Sequence, residues 1–186
     1  MPEAGGAAAG HVAAHPAEVR VWDPLVRIFH WSLVAAFATA WLSAEESGHV
    51  HRLAGYAVLG LVGFRLVWGV VGSRHARFVD FVKGPGAVLR YIAELRRGRP
   101  ARHLGHNPAG GAMVIALLTL LAVIGGTGYM LTTDAFWGVE WVEGVHAAAA
   151  NLALVLVPLH VLGVVISSLV ERQNLVLAMI TGRKRA

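Results

Sequence analysis

Residues 146–160 read HAAAANLALVLVPLH: two histidines bracket thirteen residues that carry no charge. An α-helix turns about 100° and rises about 1.5 Å per residue. Fourteen residues therefore bring the second ring to within about 40° of the first and roughly 21 Å along the same face. One small ligand cannot reach both imidazoles. Two ligands stacked along one helix can.

The rest of the chain supplies the surroundings for such a helix. It has 186 residues, 56% hydrophobic and 15% charged, with a mean hydropathy of +0.58. That balance is too apolar for an ordinary soluble domain. There is no cysteine, which excludes disulfides, iron–sulfur clusters, thiolate zinc sites and haem attached through the chain's own thiols. Four apolar stretches stand out, at about 26–44, 51–71, 110–131 and 145–170. Each has the roughly 20 residues that a membrane-crossing helix needs. A buried soluble bundle is the rival reading, but stretches this long without a polar face disfavour it. The first stretch starts late, contains Arg27 and His30 and is followed by further spans, so a cleaved signal peptide is not expected there. Residues 1–19, rich in Ala and Gly, are expected to be disordered, and 20–186 to form one four-helix membrane domain.

Charge predicts orientation. Arg74, Arg77, Lys83, Arg90, Arg96, Arg97, Arg99 and Arg102 crowd the loop between the second and third spans, and Arg172, Arg183, Lys184 and Arg185 follow the fourth. The other two loops hold Glu45, Glu46, Asp134, Glu140 and Glu143 against Arg52. The excess of basic residues on one side places both termini and the long loop in the cytoplasm. Six tryptophans near span ends fit an interfacial belt. Within the long loop, Val88, Tyr91, Ile92 and Leu95 recur at helical spacing. This predicts a short amphipathic helix lying on the anionic cytoplasmic leaflet. A nucleic-acid patch is the weaker reading of the same basic residues, and no nucleic-acid partner is expected. Asn107 and Pro108 read as the N-cap and first residue of the third span.

Of ten histidines, four fall at membrane depth. His51 and His146 open spans two and four on the periplasmic side; His30 and His160 lie toward the cytoplasmic side. An ionisable residue in a bilayer normally faces the bundle interior with a partner. Two pairs, each drawn from two helices, suit the axial positions of two metalloporphyrins. Two imidazoles leave iron no open position, which favours electron transfer over oxygen binding. Zinc or di-iron centres need three or four converging ligands, and the 21 Å offset forbids a single four-histidine site. Gly55, Gly60 and Gly63, and Gly125, Gly126 and Gly128, leave room for flat cofactors or allow close helix packing; both readings stand. Arg65 follows His51 by fourteen residues; it pairs with a haem propionate or snorkels to headgroups. Pro158 kinks the helix to aim His160 or is simply tolerated. His106 caps a helix or touches a cofactor rim.

The combination of RIFHW (27–31), HRLAGYAVLGLVGFRLVWGVVG (51–72), GHNPAGG (105–111), the His146/His160 pair and NLVLAMITGRKR (174–185) resembles the prokaryotic cytochrome b561 and nickel–iron hydrogenase b-type cytochrome family. The resemblance implies a four-helix inner-membrane protein with two b-type haems that passes electrons between a periplasmic partner and the quinone pool. Its ligands would be His30, His51, His146 and His160. With short acidic periplasmic loops, a basic c-type cytochrome is the expected kind of partner rather than a hydrogenase. Arg65, Arg74 and His106 are candidates for a cytoplasmic quinone site. Two rivals remain: a superoxide:quinone oxidoreductase, for which only Arg52 would steer the anion, and a non-redox scaffold or channel. Whether the chain is an enzyme in its own right stays open at this point.

Overall fold

The computed structural model describes residues 18–185. It is mostly helical: strand β1 (Glu18–Arg20), helices α1 (Pro24–Leu42), α2 (Gly48–Val71), α3 (Phe78–Phe81), α4 (Pro85–Arg96), α5 (Pro108–Met130), α6 (Glu140–Val170) and α7 (Leu175–Thr181), and strand β2 (Arg183–Arg185). Four of these helices, α1, α2, α5 and α6, are long and apolar enough to cross a membrane. The disordered segment expected at 1–19 lies outside the described residues up to 17. Beyond that the expectation needs correcting, because Glu18 and Val19 belong to β1 and pair with Arg185 and Lys184.

Side chains start the helices at the places where backbone N–H groups lack partners. Asp23 caps α1 by accepting from the Val26 amide at 2.9 Å, Ser47 caps α2, and Asn107 accepts from the Gly110 amide at 2.7 Å to start α5. The long helices pack in the order α1–α2–α5–α6. On α2 the buried positions are Ala54, Val58, Val62, Arg65 and Gly69, one stripe at three- and four-residue spacing. Val58 and Val62 meet Phe29 of α1 and Leu118 and Leu121 of α5 in the central core. Helix α6 contributes only Val142, Ala149 and Ala153 to buried surface. Its outer side is apolar and exposed: Val155 is 63% and Leu169 73% accessible, as a lipid-facing helix requires.

A cap closes the end that carries β1 and β2, called here the basic end. Val21, Trp22, Val26, Ala76 and Ala178 form its core, with Trp68 and Met179 against them. The amides of Val21 and Trp22 donate to the Gly182 carbonyl at 2.9 and 3.1 Å. Gly182 ends α7 in the left-handed region at φ 82°, where a Cβ would also sit 2.6 Å from the Trp22 carbonyl oxygen; both facts call for glycine. The Arg27 guanidinium donates to the Ile180 carbonyl. Burial alone would raise the Asp23 carboxyl. Hydrogen bonds from Ser73, Val26 and Trp68 outweigh that and hold it below the usual carboxylate range.

Helix α4 occupies the expected stretch between α2 and α5 and packs against α5. Its apolar stripe turns inward, with Tyr91 buried and Val88, Ile92 and Leu95 half-buried. The protein, rather than a lipid surface, therefore covers much of the face expected to lie on the leaflet.

Candidate functional site

At the acidic end, the rings of His51 and His146 meet in a T-shaped arrangement, with centroids 6.1 Å apart and planes at 75°. His51 stands in the first turn of α2, and its Nδ1 lies 2.8 Å from the Ala40 carbonyl oxygen of α1. His146 comes from α6, and its Nδ1 lies 3.0 Å from the Ile124 carbonyl oxygen of α5 and 3.2 Å from Thr127 Oγ1. The Thr127 hydroxyl donates to the Val123 carbonyl at 2.7 Å. A carbonyl can only accept, so both Nδ1 atoms carry the proton and donate. Each Nε2 is left with an open lone pair and, among the described residues, no hydrogen bond. Four helices thus converge on this pair: α2 and α6 supply the rings, and α1 and α5 orient them.

The other two histidines lie nearer the basic end. His30, in the second turn of α1, is half-buried, and its Nδ1 is buried without a partner. Its ring meets the edge of Trp31 at 5.0 Å. His160 stands in the second half of α6, toward the basic end. Among the described residues no backbone carbonyl orients either ring, so these two are less tightly pre-set than His51 and His146.

The glycines divide by position. A Cβ on Gly125 would meet Leu59 at 3.0 Å, so Gly125 permits close packing of α5 on α2. On Gly128 it would meet the His146 ring at 3.1 Å; this glycine makes room for an imidazole. Gly55, one turn from His51, and Gly60, Gly63 and Gly126 have open space beside them.

Arg65 does not snorkel. It is 3% exposed, donates from Nη2 to the Ala76 carbonyl at 2.9 Å and lies over the Phe78 ring at 4.8 Å. Its Nη1 is buried without a partner. Nearby, the His106 ring sits between Trp22 (4.7 Å) and Phe81 (4.6 Å). Part of the residue reaches the surface, but Nδ1 is buried and unpaired. Burial, reinforced by the charge of Arg65, pushes this imidazole down to about 3. The folded state then holds no proton on His106 at a pH where the unfolded chain, titrating near 6.5, takes one up. Stability from this site is complete above about pH 6.5 and drains away as the pH falls toward 3. The slope approaches about 1.4 kcal/mol per pH unit. Thermal unfolding in detergent should show this loss between pH 6.5 and 4, and H106F should flatten it. An H106F profile as steep as the wild type would contradict the assignment.

The orienting carbonyls of Ala40 and Ile124 are invisible to sequence reading, since every residue has one. Thr127 had a signal: it is the polar residue inside the glycine-rich stretch GGTGYM (125–130). Among the described residues, no three His, Cys, Asp or Glu side chains converge as a metal cluster; the histidines approach in twos.

Residues 21–182 match the family model of prokaryotic cytochrome b561. The chain belongs to that family. It is 24% identical to a probable Ni/Fe-hydrogenase B-type cytochrome subunit of Bradyrhizobium diazoefficiens, covering 96% of this chain and 90% of the relative. A protein of the same description from Rhizobium leguminosarum bv. viciae is also 24% identical, over 94% of this chain and 92% of its own length. No solved structure matches significantly. Membership makes this cytochrome b561 relative a multi-pass membrane protein and a b-type cytochrome, which carries electrons by means of haem b. It also disfavours the non-redox scaffold.

Proposed function

We propose that this cytochrome holds two haems b and conducts electrons between a redox partner at its acidic end and quinone in the membrane. The observation that carries the reading is the close approach of the His51 and His146 rings, drawn from two different helices. Two metal–nitrogen bonds of about 2 Å, plus the distance from each nitrogen to its ring centre, separate bis-imidazole ring centres by about 6 Å. The separation here is 6.1 Å. Both Nδ1 protons are engaged by carbonyls, the usual way a protein orients a metal-binding histidine and raises its basicity. His51 and His146 would hold one haem, and His30 and His160 the other. A bound haem supplies a one-electron iron couple with both axial positions filled. Gly55 leaves open space one turn from His51. The unpaired Nη1 of Arg65 suits a propionate carboxylate. His106 and Arg65, close together at the basic end, are candidates for the rim of a quinone site.

By the positive-inside rule, the basic end with both termini faces the cytoplasm of a bacterial inner membrane, and the acidic end faces the periplasm. Exposed Trp137 and Trp141 stand among Asp134, Glu140 and Glu143 there. An acidic surface steers a basic partner such as a c-type cytochrome. The relatives' description as hydrogenase subunits names another kind of partner for the same position. A pyridine haemochrome assay combined with redox titration tests the core of this reading. Two haems per chain and two one-electron steps are expected; one haem, or none, overturns it.

A further inference from the structure

The outer side of α6 ends in an open groove of about 410 Å³ against α7 and the C-terminal strand. Val165, Leu169 and Val176 form its apolar wall, and Arg172 and Arg185 stand at its rim. We propose that this groove is a binding site for an anionic, glycerol-headed phospholipid of the phosphatidylglycerol class. The proposal does not rest on the haem assignment.

Several independent features point to that ligand. The wall continues the lipid-facing surface of α6, where Leu169 is 73% exposed, so an acyl chain can lie along it without leaving the apolar layer. Helix α7 turns Val176, Leu177 and Ile180 outward while Ala178 packs into the protein. A short helix of that pattern belongs at headgroup depth. Among the described residues, neither the Arg172 nor the Arg185 guanidinium has a hydrogen-bond or ion-pair partner. Two acids neighbour them and both are already engaged: Glu171 by the buried Lys184 at 2.8 Å, and Glu18, opposite Arg185 in the β1–β2 pair, by Arg183 at 3.3 Å. Arg172 adopts φ 50°, a conformation that glycine or asparagine accepts without strain, yet an arginine stands there. Finally, Gln173 in the same groove buries an unpaired Oε1. A carbonyl oxygen needs a donor, and a headgroup hydroxyl beside the phosphate supplies one. Arginines at a membrane surface attract anionic lipid, and basic pockets on the cytoplasmic side hold such headgroups.

The purified full chain, titrated in detergent with phosphatidylglycerol or phosphatidylcholine of the same acyl chains and read by native mass spectrometry, tests this. Wild type should prefer phosphatidylglycerol. Each arginine should account for about fivefold of that preference, so R172Q/R185Q should lose about 25-fold. R90Q/R96Q, on the exposed side of α4, should leave it unchanged. R185Q alone changes one exposed side chain of β2; it reports the fivefold loss even if the double variant does not fold. An unchanged preference in R185Q, or an equal loss in R90Q/R96Q, overturns the site. Displacement of the lipid by millimolar glycerophosphate would assign the arginines to a soluble phosphate and overturn the lipid as ligand.

Discussion

Replacing His51 by alanine should remove one haem from each chain, and replacing His146 should remove the same one. The two rings lie 6.1 Å apart and come from α2 and α6; on the proposed pairing each supplies one axial ligand to the same iron, and a haem left with one of the two should be lost on purification. The haemochrome yield should fall from about two haems to about one in either variant. The double variant H51A/H146A should be no worse than the singles, because residues acting as one unit are non-additive. H30A and H160A should instead delete the other spectral component. Loss of unlike components from H51A and H146A would show that the pairing is wrong. The acidic-end pair is the sharper test, since carbonyls of α1 and α5 hold both rings in place.

Gly111→Val should unfold the basic end, and Gly69→Val should do nearly as much. Helix α3 is clasped between α2 and α5 at these two glycines. A Cβ on Gly111 would sit 2.7 Å from the Phe81 carbonyl oxygen, and one on Gly69 would sit 2.0 Å from the Phe78 ring. Backbone cannot give way at the first position. At the second, the ring can move only by uncovering Arg65, which it covers at 4.8 Å. Overpacking of this kind costs about 1–3 kcal/mol or more, and the loss of the α3 contacts adds to it. Gly86, exposed on α4, is the control: nothing lies within 4 Å of its Cβ position. Gly86→Ala should leave stability unchanged or raise it by a few tenths of a kcal/mol, about half a helix-interior Gly→Ala gain at most. Unfolding midpoints in detergent read all three. If Gly111→Val and Gly86→Ala had equal midpoints, the clasp would be refuted.

Most of the architecture is legible along the chain because hydropathy and helical rise are local properties. Four apolar runs announce four long helices, and the spacing of His146 and His160 announces one shared face. Local signals also blur the ends. Helix α6 begins at Glu140, ahead of the apolar run at 145, because its first turn is acidic and suits the positive end of the helix dipole without looking apolar. Beside this, β1 is too short to announce itself; it exists because β2, at the far end of the chain, pairs with it.

The amino-acid order by itself determined the number of long apolar helices, the place of each of the four histidines along its helix and the sign of charge in each set of loops. Only the tertiary structure decided which rings meet, that Ala40 and Ile124 carbonyls fix their protons, that Arg65 is buried under Phe78, and that His106 is trapped between Trp22 and Phe81. The reason is physical: these are contacts between helices, made by groups far apart in the chain, and periodicity reports only which way a side chain faces, not what it meets.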